Sequence, residues 1–165
     1  MAHITLKGAS FNTCSHLPGV GSSFPNFELI ANDLSVKTLS SFSGKKKIIY
    51  TVPSLDTSVC AASSKKFSQE MKQHKDVDVL VISCDLPFAQ QRVCGAEGMQ
   101  NIHSLSLMRS KKLAQDLGVL IVDGPLEGLC ARAIFILDEK NKIIHEQLVT
   151  EVTHEPDYDK VLSMI

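Results

Sequence analysis

Residues 77–83, which read V-D-V-L-V-I-S, are apolar at almost every position. A strand with one face in water alternates apolar and polar side chains, whereas a near-continuous apolar run is typical of a central strand covered on both faces. Residues 48–52 have a similar character and are followed by Pro53, which cannot continue a hydrogen-bonded ladder. These strands therefore predict a sheet with a layer of helices on each side.

The other predicted elements alternate along the chain. Capping residues and helical spacing predict helices over 57–72, 86–94 (with Asp85 as its cap), 111–117 and 155–165. Strands are predicted over 27–30, 36–39 and 103–107, and the strands at 133–137 and 143–145 should form a hairpin. Residues 3–17 suggest an N-terminal hairpin whose second strand lies within 11–17. We expect one α/β domain over 1–165, with a central mixed sheet flanked by helices and an N-terminal β-hairpin within 1–20.

The composition of the chain limits the classes of function that it can have. The chain has 165 residues, 44% of them hydrophobic and 21% charged, as is ordinary for one globular domain. A net charge of −1 gives no electrostatic footprint for nucleic acid. We find no apolar stretch near the roughly 18 residues that a membrane span needs and no signal-peptide pattern at the N-terminus. The expectation is a cytoplasmic protein that binds neither nucleic acid nor membrane.

The cysteine count points to redox or catalytic chemistry. Five cysteines in a chain without an export signal argue against a static disulfide framework. They contain no C-x2-C pair and the histidines contain no HxxxH pair, so no metal site is expected, and no cofactor is predicted. The absence of C-x-x-C also argues against a plain thiol–disulfide oxidoreductase.

Cys60 is the candidate nucleophile. Asp56, Thr57 and Ser58 are all residue types that cap helices, so the stretch from Pro53 onward reads as a strand end, a turn and a helix start. Cys60 then falls in the first helical turn, where free backbone N–H groups and the helix dipole favour the thiolate, which is the nucleophilic form. The alternative is a buried structural cysteine, since cysteine is among the most often buried residue types.

Several segments resemble a known family. Pro53, Thr57 and Cys60 are spaced as P-x3-T-x2-C, which resembles the peroxidatic motif of peroxiredoxins. Residues 85–98 and 123–133 resemble the bacterial thiol peroxidase subfamily, the atypical two-cysteine peroxiredoxins, and the match extends into residues 155–158. The resemblance covers nearly the whole chain after about Gly19.

The resemblance implies a thioredoxin-like fold and the reduction of hydrogen peroxide and organic hydroperoxides, with thioredoxin as the reductant and a homodimer as the assembly. Carried over by position, Cys60 is the peroxidatic cysteine and Cys94 the resolving cysteine, which close an intramolecular disulfide. Pro53, Thr57 and Arg132 complete the active site. A competing hypothesis is a redox-sensing or holdase-like interaction protein that uses oxidation of the same cysteine.

The three supporting residues also have a chemical rationale. Peroxide cleavage needs a thiolate on one oxygen and donors for the charge that develops on the other. Arg132 can supply cationic donors, Thr57 can give its hydroxyl to sulfur and peroxide, and Pro53 can close the pocket against water. Each has a plainer alternative: a surface arginine at a strand start, a helix N-cap and a strand terminator, respectively.

The remaining thiols are assigned by their local context. Cys94 is expected at a helix end beside Gly95, and a disulfide with Cys60 would need local unwinding of both helices. Cys84 follows a buried strand and is expected to be inert packing. Cys130 rivals Cys94 as the resolving residue, because it would share the face of Arg132 if the next strand started early. Cys14 is given no role.

Overall fold

The computed structural model describes residues 1–165. Its strands are β1 (His3–Leu6), β2 (Ala9–Asn12), β3 (Glu28–Ala31), β4 (Val36–Thr38), β5 (Lys46–Thr51), β6 (Val77–Ser83), β7 (His103–Ser106), β8 (Ala133–Leu137) and β9 (Ile143–Leu148). Its helices are α1 (Ser58–Glu70), α2 (Pro87–Ala96), α3 (Lys112–Asp116) and α4 (Tyr158–Leu162), with short 3-10 turns at Leu39–Phe42 and Met71–Gln73. No helix combines the length and the hydropathy that crossing a bilayer requires.

Seven strands form one mixed sheet in the order β4-β3-β7-β6-β5-β8-β9. The β5, β6 and β7 strands are parallel neighbours, whereas β8 runs antiparallel to β5, and β3 antiparallel to β7. The predicted central strand β6 lies in the middle of this sheet. Thr51 at the end of β5 is in register with both Ile82 and Ala133, so β5, β6 and β8 meet at one edge.

The side chains of β6 divide between two cores, as the two-residue period of a strand requires. Val79 and Val81 enter a cluster with Phe67 of α1 and Val93 of α2, and we call this side of the sheet the α1 face. Leu80 enters a second cluster with side chains of α3 and of the N-terminal hairpin, on what we call the α3 face. Both sides of the sheet are therefore covered, as the apolar strands predicted.

The N-terminal hairpin is present, but the prediction for its second strand was wrong. That strand covers Ala9–Asn12 rather than lying within 11–17. Lys7 and Gly8 take positive φ values of 50° and 84° in a two-residue turn, which pairs Leu6 with Ala9 and brings the strand forward. The hairpin is fastened to the main body where Thr5 N donates to Thr150 O at 2.7 Å.

Asp85 is not the cap of α2, contrary to prediction. Leu86 occupies the N-cap without a side-chain hydrogen bond, and α2 starts at Pro87, whose fixed φ suits a first helical position. The helix continues through Gly95 to Ala96, and Gly98, at φ 67°, follows its end. The α4 helix is also shorter than predicted, because Asp157 caps it by accepting from Lys160 N.

Candidate active site

Cys60 lies in the first turn of α1, where the sequence placed it. Its backbone N–H donates to Thr57 Oγ1, the N-cap side chain, at 3.2 Å. The residue is 1% exposed, belongs to the α1-face cluster and carries a free thiol. The site therefore combines a helix N-terminus with a sulfur that is almost completely shielded from water.

Arg132 reaches this sulfur from the segment just before β8. Its Nη2 donates to Cys60 Sγ at 3.4 Å and to Val152 O at 2.9 Å, while Nη1 donates to Tyr50 OH at 2.7 Å. The residue is 1% exposed, so it is not the surface arginine of the alternative interpretation. Arg132 Nε is buried without a partner, so its N–H is free for a further acceptor.

Tyr50 is a site residue that sequence reasoning missed. Burial raises the pKa of its hydroxyl to about 12, although the neighbouring Arg132 charge opposes that shift. Burial by itself would lower the pKa of Arg132, but its contacts with Tyr50 and Cys60 raise it above its ordinary value. One sequence feature could have identified Tyr50: the two-residue period of β5 puts it on the same face as Ile48 and Val52.

Thr57 caps α1 and Pro53 ends β5, and their expected roles in catalysis stay predictions. Thr57 is exposed, and its hydroxyl donates to Ser54 O at 3.3 Å while accepting from Cys60 N–H. Its one hydroxyl hydrogen is thus directed to the turn rather than to the Cys60 sulfur. Pro53 is buried two residues beyond the end of β5, where it terminates the strand and begins the turn.

Asp85 holds the turn that leads to Cys60, and sequence reasoning missed this role. Its Oδ1 accepts from Ser54 Oγ at 2.7 Å, and its Oδ2 accepts from Leu55 N and from Ser83 Oγ, each at 2.7 Å. A carboxylate after β6 is thereby bonded to the loop after the neighbouring strand β5. In the sequence, an aspartate before a predicted helix looks like a helix cap. No neighbouring residue indicates that Asp85 instead binds the turn after β5.

Cys94 lies near the end of α2 and is 7% exposed, in the same apolar cluster as Cys60. Burial raises the pKa of its thiol. A groove of about 320 Å³ separates α1 from α2 and is lined by residues from both helices. Across the helix pair, Arg92 donates to Asp56 at 2.9 Å and Lys65 to Glu97 at 3.2 Å, but these ion pairs are exposed and contribute little.

Cys130 does not lie with Cys60, contrary to the alternative that the sequence left open. The β8 strand starts at Ala133 and not early, so Cys130 is not held to the face of Arg132 by strand alternation. It packs in the α3-face cluster, whereas Cys60 and Cys94 share the α1-face cluster. The sheet therefore separates Cys130 from the candidate nucleophile.

Comparison with known proteins agrees with this geometry. The Redoxin family model matches residues 19–162. The chain belongs to the redoxin family. Over its 165 residues this redoxin is 42% identical to a thiol peroxidase from Mycobacterium bovis, with 100% of this chain and 99% of the relative covered. The resemblance to thiol peroxidases that the motifs indicated is thus confirmed.

Two solved structures match this redoxin along nearly its whole length. A peroxiredoxin-like protein from Aquifex aeolicus superposes with a TM-score of 0.93 at 39% identity, covering 99% of this chain and 95% of the other. A thiol peroxidase from Chromobacterium violaceum gives a TM-score of 0.92 at 23% identity, covering 98% and 94%, and at that identity it supports the fold alone. The predicted thioredoxin-like fold, with its N-terminal hairpin, is confirmed.

Proposed function

We propose that this chain is a thiol peroxidase that reduces hydrogen peroxide and organic hydroperoxides with Cys60 as its nucleophile. Family membership and whole-length similarity to a thiol peroxidase make it a peroxiredoxin-type oxidoreductase. The observation that carries the residue assignment is the buried guanidinium of Arg132, which donates to Cys60 Sγ at 3.4 Å. The redox-sensing or holdase-like alternative is not favoured by these comparisons.

The charge balance around Arg132 supports this assignment. A buried cation is costly unless an anion compensates it, and Arg132 takes part in none of the ion pairs of the structure. The acidic groups that it contacts are the Cys60 thiol and the Tyr50 hydroxyl, and Tyr50, with its pKa raised to about 12, stays neutral. The Cys60 thiolate is the anion that this guanidinium is placed to compensate.

In the first step, the Cys60 thiolate attacks the terminal peroxide oxygen. An S–O bond forms and the O–O bond breaks, so that sulfur is oxidised to a sulfenic acid and the other oxygen leaves as an alcohol or water after taking a proton. Negative charge develops on the leaving oxygen, and cationic donors placed there stabilise the transition state. Arg132 serves this purpose because it contacts the sulfur and keeps its Nε–H unpaired.

In the second step, the Cys94 sulfur attacks the Cys60 sulfenic acid, the S–O bond breaks and water leaves, giving an intramolecular disulfide. Both thiols are built into helices, so the ends of α1 and α2 must unwind to bring the sulfurs together. Unwinding also exposes Cys94 and removes the burial that raises its pKa. The rearrangement therefore both moves and activates the second thiol.

The partners follow from this cycle. Thioredoxin is proposed as the dithiol that returns the disulfide to two thiols, in a cytoplasmic setting. A homodimer is proposed as well, supported by the exposed apolar side chains of Leu86 and Phe88, at 55% and 62%, around the start of α2. Thioredoxin-coupled turnover tests the proposed reductant. Sedimentation of the full chain tests the proposed homodimer.

Replacing the nucleophile tests the central proposal. Cys60→Ser should abolish thioredoxin-coupled hydroperoxide reduction, since a serine hydroxyl at neutral pH is far less ionised than a thiol beside a guanidinium. Turnover is followed by thioredoxin-reductase-linked NADPH oxidation, with Cys14→Ser as the matched control that should keep full activity. Wild-type turnover in Cys60→Ser would exclude Cys60 as the nucleophile.

Replacing the second thiol tests the resolving step. Cys94→Ser should still react once with peroxide, but the sulfenic acid should accumulate and overoxidise because no thiol captures it. A sulfenic-acid-specific probe and intact mass measure this species, and peptide mapping of the wild type should show a Cys60–Cys94 link. Normal thioredoxin-coupled turnover in Cys94→Ser would assign resolution to another thiol.

A further inference from the structure

A second pair of cysteines, Cys84 and Cys130, lies at the same end of the strands as the Cys60 site but on the α3 face of the sheet. Cys84 directly follows β6, and Cys130 stands three residues before β8, and these two strands flank β5. Cys130 is part of the α3-face cluster and Cys84 packs against that cluster. Cys60 and Cys94 belong to the α1-face cluster, so the sheet divides the thiols into two pairs.

The Cys84 and Cys130 thiols pack in the same cluster and are close enough for each to shift the pKa of the other. Cys84 Sγ lies 3.5 Å from Gly128 O. Lys111 reaches the same place, since a Cβ built on Gly128 would lie 3.1 Å from Lys111 Nζ. Both thiols are free. A sulfur with a second thiol, a carbonyl acceptor and an ammonium group near it is not placed as inert packing.

The environments of the two sulfurs differ in a way that assigns their roles. The Cys130 side chain and, to a smaller extent, Lys111 lower the pKa of Cys84, and burial and the charge of Asp85 oppose them, so that the net pKa is about 7. The interaction with Cys84, together with burial, raises the pKa of Cys130 well above its usual range. Cys84 is half-buried, whereas Cys130 is 0% exposed. Cys84 is therefore the accessible thiolate, and Cys130 is the protonated partner beneath it.

We propose that Cys84 and Cys130 form a second redox-active dithiol, which hydroperoxides oxidise to a disulfide independently of Cys60 and Cys94. The Cys84 thiolate attacks the terminal peroxide oxygen, an S–O bond forms and the O–O bond breaks, and the leaving oxygen takes a proton to become alcohol or water. Cys130 then loses its proton and attacks the Cys84 sulfur, the S–O bond breaks and water leaves. Two thiols have then given two electrons to one peroxide.

The position of the pair connects it to the first site. Cys84 is adjacent to Asp85, whose carboxylate binds Ser54 and Leu55 in the turn before Cys60. Cys130 is two residues before Arg132, which contacts the Cys60 sulfur. A Cys84–Cys130 bond would tether these two segments to each other. Reaction at Cys84 should be slower than at Cys60, since no arginine contacts its sulfur and the leaving oxygen has weaker donors.

Paired double variants separate the two dithiols. In Cys60→Ser/Cys94→Ser, three of the five cysteines remain. Excess hydrogen peroxide, followed by quenching with catalase, should remove two of the three titratable thiols and give a Cys84–Cys130 cross-linked peptide on mapping. Three retained thiols, or a link that involves Cys14, would overturn the proposal. Circular dichroism before treatment establishes that the variant is folded.

The reciprocal variant and a triple variant complete the design. Cys84→Ser/Cys130→Ser should lose only the thiols of Cys60 and Cys94, so failure of the proposed function and failure of this inference give different thiol counts. Adding Cys130→Ser to Cys60→Ser/Cys94→Ser should leave Cys84 as a sulfenic acid that a specific probe labels. Labelling of Cys14 in place of Cys84 would contradict the assignment of Cys84 as the attacking thiol.

Discussion

At the scale of single residues, the site depends on a cation that has no carboxylate partner. Arg132 uses two of its nitrogens on Tyr50, Val152 and the Cys60 sulfur, all of them buried contacts. Arginine suits this place because its planar fork binds three acceptors at once, whereas lysine is a compact point charge on a flexible stem. Charge and geometry should therefore contribute separately to the reaction.

Arg132→Met should slow peroxide reduction by at least about tenfold and slow the alkylation of Cys60 by iodoacetamide at pH 7, because the sulfur loses its charged donor. Stopped-flow peroxide reduction and alkylation followed by mass measure both effects. Arg132→Lys is the control for charge alone, and its rates should fall between those of the wild type and Arg132→Met. Unchanged rates in Arg132→Met would remove this residue from the site.

At the scale of elements, Cys60 is positioned by β5, the turn after it and α1. The segment after β6 holds that turn in place. The Asp85 carboxylate accepts a backbone hydrogen bond from Leu55 and a side-chain one from Ser54, both at 2.7 Å. A turn with its own capping residues still needs an acceptor for a buried N–H, and here Asp85, two residues after the neighbouring strand β6, provides it. Asp85 is thus a positioning residue for Cys60.

Asp85→Ala should lower the free energy of unfolding by about 1–3 kcal/mol, the usual cost of leaving a partly buried donor unsatisfied. It should also slow peroxide reduction without changing the peptide-mapped disulfide partners. Denaturant unfolding followed by circular dichroism gives the stability. Asp116→Ala is the control, since its ion pair with Lys112 lies on the surface and its loss should cost well under about 1 kcal/mol. Equal costs in the two variants would show that Asp85 has no special role.

At the scale of the whole molecule, the N-terminal hairpin is connected to the site through Val152. Val152 N donates to Thr5 O at 2.8 Å, while its carbonyl accepts from Arg132 at 2.9 Å. The carboxylate of Glu151 accepts from Thr5 Oγ1 at 2.7 Å and from Lys7 N at 3.1 Å. The hairpin therefore supports the segment that orients Arg132, although it lies outside the seven-stranded sheet.

The hydrogen bonds of Glu151 to the hairpin make the stability of the fold depend on pH. Hydrogen bonds from Thr5 and then Thr153 lower the pKa of Glu151 from its ordinary 4.5 to about 2. A carboxyl group whose pKa is depressed by folding adds stability above the unfolded value and loses it as pH falls through the folded value. The contribution of Glu151 should thus be full above pH 4.5 and be lost between pH 4.5 and about 2.

Denaturant unfolding at a series of pH values should show this loss in the wild type and a flatter dependence in Glu151→Gln. The matched control is Glu139→Gln, whose exposed side chain takes part in no salt bridge. It should keep the wild-type dependence. Identical acid profiles in all three proteins would mean that Glu151 does not hold the hairpin.

Local patterns in the sequence were enough to predict much of this protein. The apolar runs of β5 and β6 indicated a sheet covered on both faces, because side-chain alternation along a strand follows directly from residue order. Cys60 could be placed in the first turn of α1 because the turn and cap residues just before it are adjacent in the chain. Cys94 was placed at a helix end for the same reason, although Gly98 rather than Gly95 follows that end.

The tertiary structure alone decided which distant side chains meet. Arg132 and Cys60 are 72 positions apart, and Ser54 and Asp85 are 31 apart, yet both pairs are in contact. Such contacts depend on strand order and register, which bring the ends of β5, β6 and β8 together at one edge. The same register, together with the irregular segment before β8, puts Cys84 and Cys130 in one cluster on the face opposite Cys60. A one-dimensional pattern encodes the face of each strand but not which strands become neighbours, so the two thiol pairs could be told apart only in the folded chain.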